Sequence, residues 1–171
     1  ALRVEGRIAA AMNRLNSELV HDLGDGRFVT FAAVILSPGD PVVVSTSAGH
    51  GPMLIFRHSR RDIESFGADM LPLGVAETDE ESESIIHRLD DGDVFLLVTD
   101  GFFEWANPTG EQFGSQRLKE SLQEHGRKCG DEIIRGLLDD LEDFAQDTPQ
   151  PDDLTAVVIR RTIAGEDGDL R

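Results

Sequence analysis

The chain has 171 residues, enough for one domain with a sizeable core, and its 39% hydrophobic and 29% charged residues exclude a disordered polymer. No apolar run approaches the roughly 18 residues that a membrane-spanning helix needs. The 33 acidic residues outnumber the 16 basic ones, and the net charge of −17 disfavours nucleic acid and anionic membranes as partners. It favours metal cations or basic partner surfaces, although solubility alone would account for much of the excess acid.

The N-terminal stretch is amphipathic. Val4, Ile8, Met12, Leu15 and Leu19 recur at helical spacing, which predicts a helix over about residues 2 to 21. With Arg3, Arg7 and Arg14 on it, this stretch reads as a helix and not as a signal peptide. His21 to Gly26 ends it. Phe28 to Leu36 is a nearly continuous apolar run and predicts a buried strand. Ser37-Pro38-Gly39-Asp40 turns the chain into a second strand over Pro41 to Ser47, so the two form a hairpin.

Ser47-Ala48-Gly49-His50-Gly51-Pro52 breaks the pattern. Glycines on both sides of His50 let the backbone turn tightly and present the imidazole as a ligand, a proton donor or a packed turn residue. Met53 to Phe56 predicts a strand and Asp62 to Phe66 its return. The tip between them, Arg57-His58-Ser59-Arg60-Arg61, is either a solvated turn or a cradle for a phosphate or an acidic partner. Leu71-Pro72-Leu73-Gly74-Val75 is an apolar loop stiffened by proline. Acid-rich Glu77 to Glu83 leads into a strand ending near Leu89.

Val94 to Val98 is a short apolar run with Asp90-Asp91-Gly92-Asp93 before it and Asp100-Gly101 after it, the pattern of a core strand. Asp100 is then either a carboxylate held rigidly where the strand leaves the core or simply half of a turn pair. Phe102 to Ala106 predicts a helical turn. Ser115 is a candidate cap for a helix carrying Leu118 and Leu122, with Gly126 just past its end. Ile133, Ile134, Leu137, Leu138, Leu141 and Phe144 mark a further helix over about 130 to 146, stopped by Thr148-Pro149-Gln150-Pro151. Asp152-Asp153 follows, then a strand over Leu154 to Ile159. Residues 162 to 171 read as a frayed tail, and a single domain is expected over 1–163 with a flexible tail over 164–171. The single cysteine, Cys129, allows no internal disulfide and fits a reducing, cytoplasmic compartment.

Asp100 closes one apolar strand and Asp152-Asp153 opens another, 52 positions later. If the two strands are antiparallel neighbours, their acidic ends meet. Adjacent carboxylates repel unless a cation or proton lies between them, and an all-oxygen donor set suits Mg²⁺ or Mn²⁺ better than zinc. Such an ion acidifies water and clamps a phosphoryl oxygen. The bland alternative is that Asp152-Asp153 merely caps a strand beside a proline-rich turn. Val98 stands where a haloacid-dehalogenase-type phosphatase would carry its nucleophilic Asp, so that chemistry is excluded. No Gly-rich loop followed by Lys-Ser/Thr is present for a nucleotide phosphate, and no Cys/His cluster has zinc spacing.

Ala48-Gly49-His50-Gly51-Pro52, Leu71-Pro72-Leu73-Gly74, Thr99-Asp100-Gly101-Phe102-Phe103-Glu104 and Asp152-Asp153-Leu154-Thr155 occur in an order and spacing that resemble one family. Phe28-Val29-Thr30 and Asn13-Arg14-Leu15-Asn16 fit it too. Over roughly residues 3 to 161 the chain is similar to the bacterial SpoIIE-type (RsbU-like) metal-dependent protein phosphatases of the PPM superfamily, relatives of protein phosphatase 2C. The resemblance implies an α+β fold, an αββα sandwich of two mostly antiparallel sheets flanked by helices. It implies a two-metal Mn²⁺ or Mg²⁺ site whose activated water attacks phosphoserine or phosphothreonine. Asp100 and Asp152 would be metal ligands, Gly101 would allow close backbone approach, and Asp153 and His50 would line the site or support it. The implied partner is a phosphorylated regulatory protein of the anti-anti-sigma-factor type, with a sensor domain in the same parent chain.

Two upstream family motifs, an acidic Gly-Gly-Asp type and a Gly-Asp-x-x-Gly-His-Gly type, have no match here. The resemblance therefore places Ala1 inside the helix that would follow them and makes the expected fold N-terminally incomplete. Three explanations stand: a C-terminal part of a larger protein, upstream residues outside this sequence, or loss of catalysis. Sheet edges left uncovered would invite pairing with another copy, a homodimer. An inactive module that binds a regulatory partner is the alternative to an enzyme.

Overall fold

The computed structural model of the protein describes residues 2–24, 26–37, 39–77 and 84–162, with the side chains of 2–7 and 9 left out. In chain order the elements are α1 (Leu2–Leu23), β1 (Phe31–Leu36), β2 (Val42–Ala48), β3 (Met53–Arg57), β4 (Asp62–Phe66), β5 (Ile85–Arg88), β6 (Val94–Val98), α2 (Gly101–Glu104), α3 (Gly114–His125), α4 (Gly130–Ala145) and β7 (Ala156–Arg160). The strands form two antiparallel sheets, one ordered β1-β2-β5 and the other β4-β3-β6-β7. The chain divides into two compact units, one of residues 1–50 and 67–88 and the other of residues 51–66 and 89–171. Parts of the expected turns at 21–26 and 37–40, the acidic run at 78–83 and the tail from 163 onward lie outside the described residues.

In the first unit the helix and the hairpin form as their patterns predict. Ile8 and Met12 on α1 pack with Val44 and Ala48 of β2 and with Leu73. Val44 and Ala48 share one face because strand side chains alternate. One burial goes beyond the apolar stripe, and one expectation is corrected. Leu15 is 39% exposed, whereas its neighbour Asn16 is only 3% exposed. Helical rotation brings Asn16 to the loop at residues 73–76, where Oδ1 accepts from the Gly74 N–H and Nδ2 donates to the Ala76 carbonyl, both at 2.9 Å. The apolar run from Phe28 does not form one buried strand. Phe28 and Val29 precede β1 and are exposed, and Ile35 and Leu36 at the end of β1, the edge strand of its sheet, are exposed as well. Apolar character signalled a strand but could not say whether its faces would be covered.

In the second unit, β3 and β6 are the two inner strands. They are almost wholly buried, which is why both read as continuous apolar runs, while edge strand β4 has no fully buried residue. Leu54, Phe56, Val94, Leu96 and Val98 meet Leu118 and Leu122 of α3 and Ile133, Leu137, Leu141 and Ala145 of α4. The α4 residues recur every fourth position and so form one stripe. Each large side chain buried here contributes roughly 1.5–3 kcal/mol relative to exposure. Ser115 does not cap α3. Phe113 occupies the N-cap position and the helix begins at Gly114, one residue before the expected cap. Gly126 is the C-cap as expected, and a Cβ there would meet the Phe56 ring at 2.6 Å. The last strand begins at Ala156, two residues later than expected, leaving Leu154 and Thr155 in the approach to it.

Candidate active site

The second unit brings the two acidic segments together. β6 and β7 are antiparallel neighbours, with Val98 opposite Ala156 as the last pair of the ladder. One residue further, the Thr99 N–H still donates to the Thr155 carbonyl at 3.0 Å. The chain then turns at Asp100 into the short α2, and Asp152-Asp153 stands on the opposite segment where β7 is approached. Gly101 is buried against this segment: a Cβ on it would lie 2.8 Å from the Asp153 carbonyl oxygen and 2.9 Å from Leu154 Cδ2. Only glycine fits so close an approach of two backbones.

Asp100, Asp152 and Asp153 are all exposed. Asp100 Oδ1 accepts from the Gly101 N–H at 3.1 Å, and Asp152 Oδ1 accepts from the Asp153 N–H at 2.7 Å. Each bond comes from the next residue's backbone and engages one carboxylate oxygen. Among the described residues no Lys, Arg or His forms an ion pair with any of the three. Unneutralised carboxylates on adjoining segments make a favourable place for a cation. The donor type, carboxylate and carbonyl oxygen around a glycine-opened approach, fits a hard divalent ion such as Mn²⁺ or Mg²⁺. The donor number is partial: among the described residues no three His, Cys, Asp or Glu groups gather in metal-binding geometry.

Two further residues of this site hold the segments in register. Thr99 Oγ1 donates to the Asp153 carbonyl at 3.2 Å and accepts from the Thr155 N–H at 3.0 Å. Thr99 and Thr155 were visible in the sequence only as companions of the acidic residues. A hydroxyl-bearing residue next to a strand-end Asp was the available signal, and it becomes meaningful only once the strand pairing is known.

His50 lies in the first unit. Its carbonyl accepts the Ser47 hydroxyl, and among the described residues the imidazole carries no hydrogen bond. The motif around it has a structural explanation. The Gly49 N–H donates to the Met70 carbonyl at 2.9 Å, Ser47 N–H donates to Asp69 Oδ2 at 2.9 Å, and a Cβ on Gly49 would overlap the Pro72 ring. Gly49 of the first motif is therefore packed against Pro72 of the second, and Asn16 ties the second to α1.

The arginine tip is already neutralised in part. Arg57 donates to Glu64 Oε2 at 2.6 Å and to Asp93 Oδ2 at 2.9 Å, and Arg60 donates to Asp62 and Glu64. These carboxylates, led by Glu64, raise the Arg57 pKa further, and Arg57 in turn holds the Glu64 carboxyl below its ordinary value. A phosphate would have to displace carboxylates from Arg57 and Arg60, so the tip is a structural salt-bridge network in this chain.

Two antiparallel sheets flanked by helices are the fold of protein phosphatase 2C-type domains. The fold is similar to the SiaA-PP2C domain of Pseudomonas aeruginosa (TM-score 0.66, 19% identity, covering 88% of this chain and 69% of that one). It is similar to the PP2C phosphatase domain with a fragment of the regulatory domain of SpoIIE from Bacillus subtilis (TM-score 0.68, 25% identity, 85% of this chain and 41% of that one). It is also similar to the RsbU and RsbW domains of Rv1364c from Mycobacterium tuberculosis (TM-score 0.64, 21% identity, 83% and 39%). Residues 1–162 match the family described as Stage II sporulation protein E (SpoIIE), and the chain belongs to that family. No curated protein matches the chain significantly. Among the described residues no helix is long and apolar enough to cross a membrane.

Proposed function

We propose that residues 1–163 form a metal-dependent phosphatase domain that hydrolyses phosphoserine or phosphothreonine on a regulatory protein in the bacterial cytoplasm. The observation that carries this is the meeting of Asp100 with Asp152-Asp153 at the end of the β6–β7 pair, without a basic partner among the described residues, in a chain of the SpoIIE family. Asp100 and Asp152 would hold Mn²⁺ or Mg²⁺, with Gly101 and Asp153 beside them. Bound there, the ion would supply Lewis acidity, acidifying water and polarising a phosphoryl oxygen.

The chain's own contribution is placement and charge. β6 fixes Asp100 at the end of a fully paired strand. The Gly101 and Asp153 N–H groups each engage one carboxylate oxygen and so orient the acids. Gly101 adds no side chain between the segments. Three exposed carboxylates repel a phosphate dianion, so a bare site disfavours substrate. The proposed partner is a phosphorylated protein of the anti-anti-sigma-factor type. The RsbU–RsbW pairing within one relative supports a regulatory setting, and a sensor domain in the parent chain and a homodimer belong to the same proposal.

The test is hydrolysis of p-nitrophenyl phosphate with Mn²⁺ titrated in, for the parent chain and for Asp100→Asn. Mn²⁺-dependent turnover in the parent, abolished in the variant with the thermal midpoint preserved, is the expected result. Turnover unchanged in the variant would remove Asp100 from the site. The partial donor set favours a second reading, a phosphatase-like module that binds its partner without turnover. Its mark is a folded chain with no hydrolysis whose partner binding survives Asp100→Asn and needs no metal.

A further inference from the structure

We infer that Thr99 is a positioning residue: its side-chain hydroxyl sets the spacing between the Asp100 turn and the Asp152-Asp153 segment. The inference rests on the proposal that these acids hold a divalent cation. The β-ladder ends at the Val98–Ala156 pair, and beyond it the two segments have to diverge so that Asp100 can enter α2. Diverging backbones lose their mutual hydrogen bonds, and the acids at their ends would be free to swing apart under their own repulsion.

Thr99 prevents this with one oxygen used in both directions. The Oγ1–H donates to the Asp153 carbonyl at 3.2 Å, and the same oxygen accepts from the Thr155 N–H at 3.0 Å. The Thr99 N–H donates to the Thr155 carbonyl at 3.0 Å, so backbone and side chain of one residue grip the opposite segment on both sides of Leu154. The two hydroxyl bonds specify each other: with the hydrogen directed at Asp153, the oxygen's lone pairs are left for Thr155. Immediately beyond, Gly101 is pressed to the Asp153 carbonyl, and a Cβ there would be only 2.8 Å from that oxygen. The hydroxyl pulls the segments together, and the absent side chain at Gly101 lets them close. Thr99 acts through Asp100 on one segment and Asp152-Asp153 on the other. Val at position 99 would have nearly the same shape with neither donor nor acceptor, whereas Ser would keep both.

The experiment is Mn²⁺ binding to the 171-residue chain, followed by the electron paramagnetic resonance signal of free Mn²⁺, for the parent, Thr99→Val, Thr99→Ser and Asp100→Asn, with thermal midpoints measured alongside. Thr99→Val is expected to weaken binding roughly three- to tenfold, the factor carried by one or two hydrogen bonds of modest net strength. Thr99→Ser is expected to bind within about twofold of the parent. Binding by Thr99→Val equal to the parent, or by Thr99→Ser as weak as by Thr99→Val, overturns the positioning role while an Asp100→Asn loss leaves the cation site standing. Asp100→Asn binding as tightly as the parent, or a parent that takes up no Mn²⁺, overturns the cation site and the inference with it. Should Thr99→Val fail to fold, hydrogen exchange in the parent decides: a protected Thr155 amide supports the bridge, and exchange at the rate of an open amide sinks it.

Discussion

The Gly101 α-carbon and the Asp153 carbonyl oxygen approach so closely that a methyl group on Gly101 would sit 2.8 Å from that oxygen. The obstacle is backbone and not the end of a flexible side chain, and it lies between the two acid-bearing segments. Gly101→Ala therefore has to push these segments apart. The expected cost is about 1–3 kcal/mol, as for other insertions into well-packed regions. Mn²⁺-dependent hydrolysis of a small aryl phosphate should fall by a larger factor than the stability loss accounts for at saturating folded protein. Urea titration together with the Mn²⁺ dependence of turnover checks both, and an alanine variant with parental activity would show that the spacing is not critical.

Asp93 holds the turn before β6. It is 2% exposed and accepts from Arg57 Nη1 at 2.9 Å, from the His58 N–H at 2.9 Å and from the Asp90 N–H at 3.0 Å. Asp93→Ala would remove the acceptor of one Arg57 N–H and of two backbone N–H groups. A loss of about 3 kcal/mol is expected. Asp93→Asn keeps an acceptor and should lose less. The urea midpoint, followed by circular dichroism, ranks the two, and equal losses would mean that charge and not hydrogen bonding governs the turn.

Glu64 gives the stability a pH dependence. The hydrogen bond from Arg57, assisted by Arg60, holds its carboxyl below the ordinary value of 4.5, with partial burial opposing. The native state therefore binds this proton less readily than the unfolded chain does. The stabilisation is present in full above the unfolded-state pKa and is lost as pH falls through the lower native value. Glu64→Gln should flatten the acid limb of the thermal midpoint against pH below about 4.5 and leave its slope near neutrality unchanged. An acid limb identical to the parent's would remove Glu64 from the titration.

The Arg60 and Arg61 side chains belong to the β3–β4 tip, and Arg60 pairs with Asp62 and Glu64 in solvent. Exposed pairs of this kind contribute little. Arg60→Ala combined with Arg61→Ala should leave hydrolysis of a small aryl phosphate within about a factor of two of the parent. A loss that is equal on small and protein substrates would contradict a tip remote from the chemistry, and a loss confined to a phosphoprotein substrate would assign it to docking.

Where a segment's surroundings are uniform, local pattern was enough. Val94–Val98 and Asp62–Phe66 form strands over the residues that their breakers delimit, and Ile133, Leu137 and Leu141, part of the periodic apolar set that marked the helix, lie on the stripe that α4 buries. The same reading pointed to the acids at 100 and 152–153, because each lies at the end of an apolar run, although turn or cap chemistry would account for either one alone. Tertiary structure decided the rest. Whether Phe31–Leu36 would be an edge, whether Asn16 or Leu15 would turn inward, and whether Arg57 would be free or held by Glu64 and Asp93 all depend on what another segment places opposite. The Thr99 hydroxyl has partners 54 and 56 residues away, and no local periodicity encodes a contact of that range. Sequence fixes the preference of each short segment through side-chain alternation and turn chemistry. Only the pairing of β6 with β7 determines which carboxylates share a neighbourhood, because that pairing is won by the burial of the whole sheet and not by the acids it brings together.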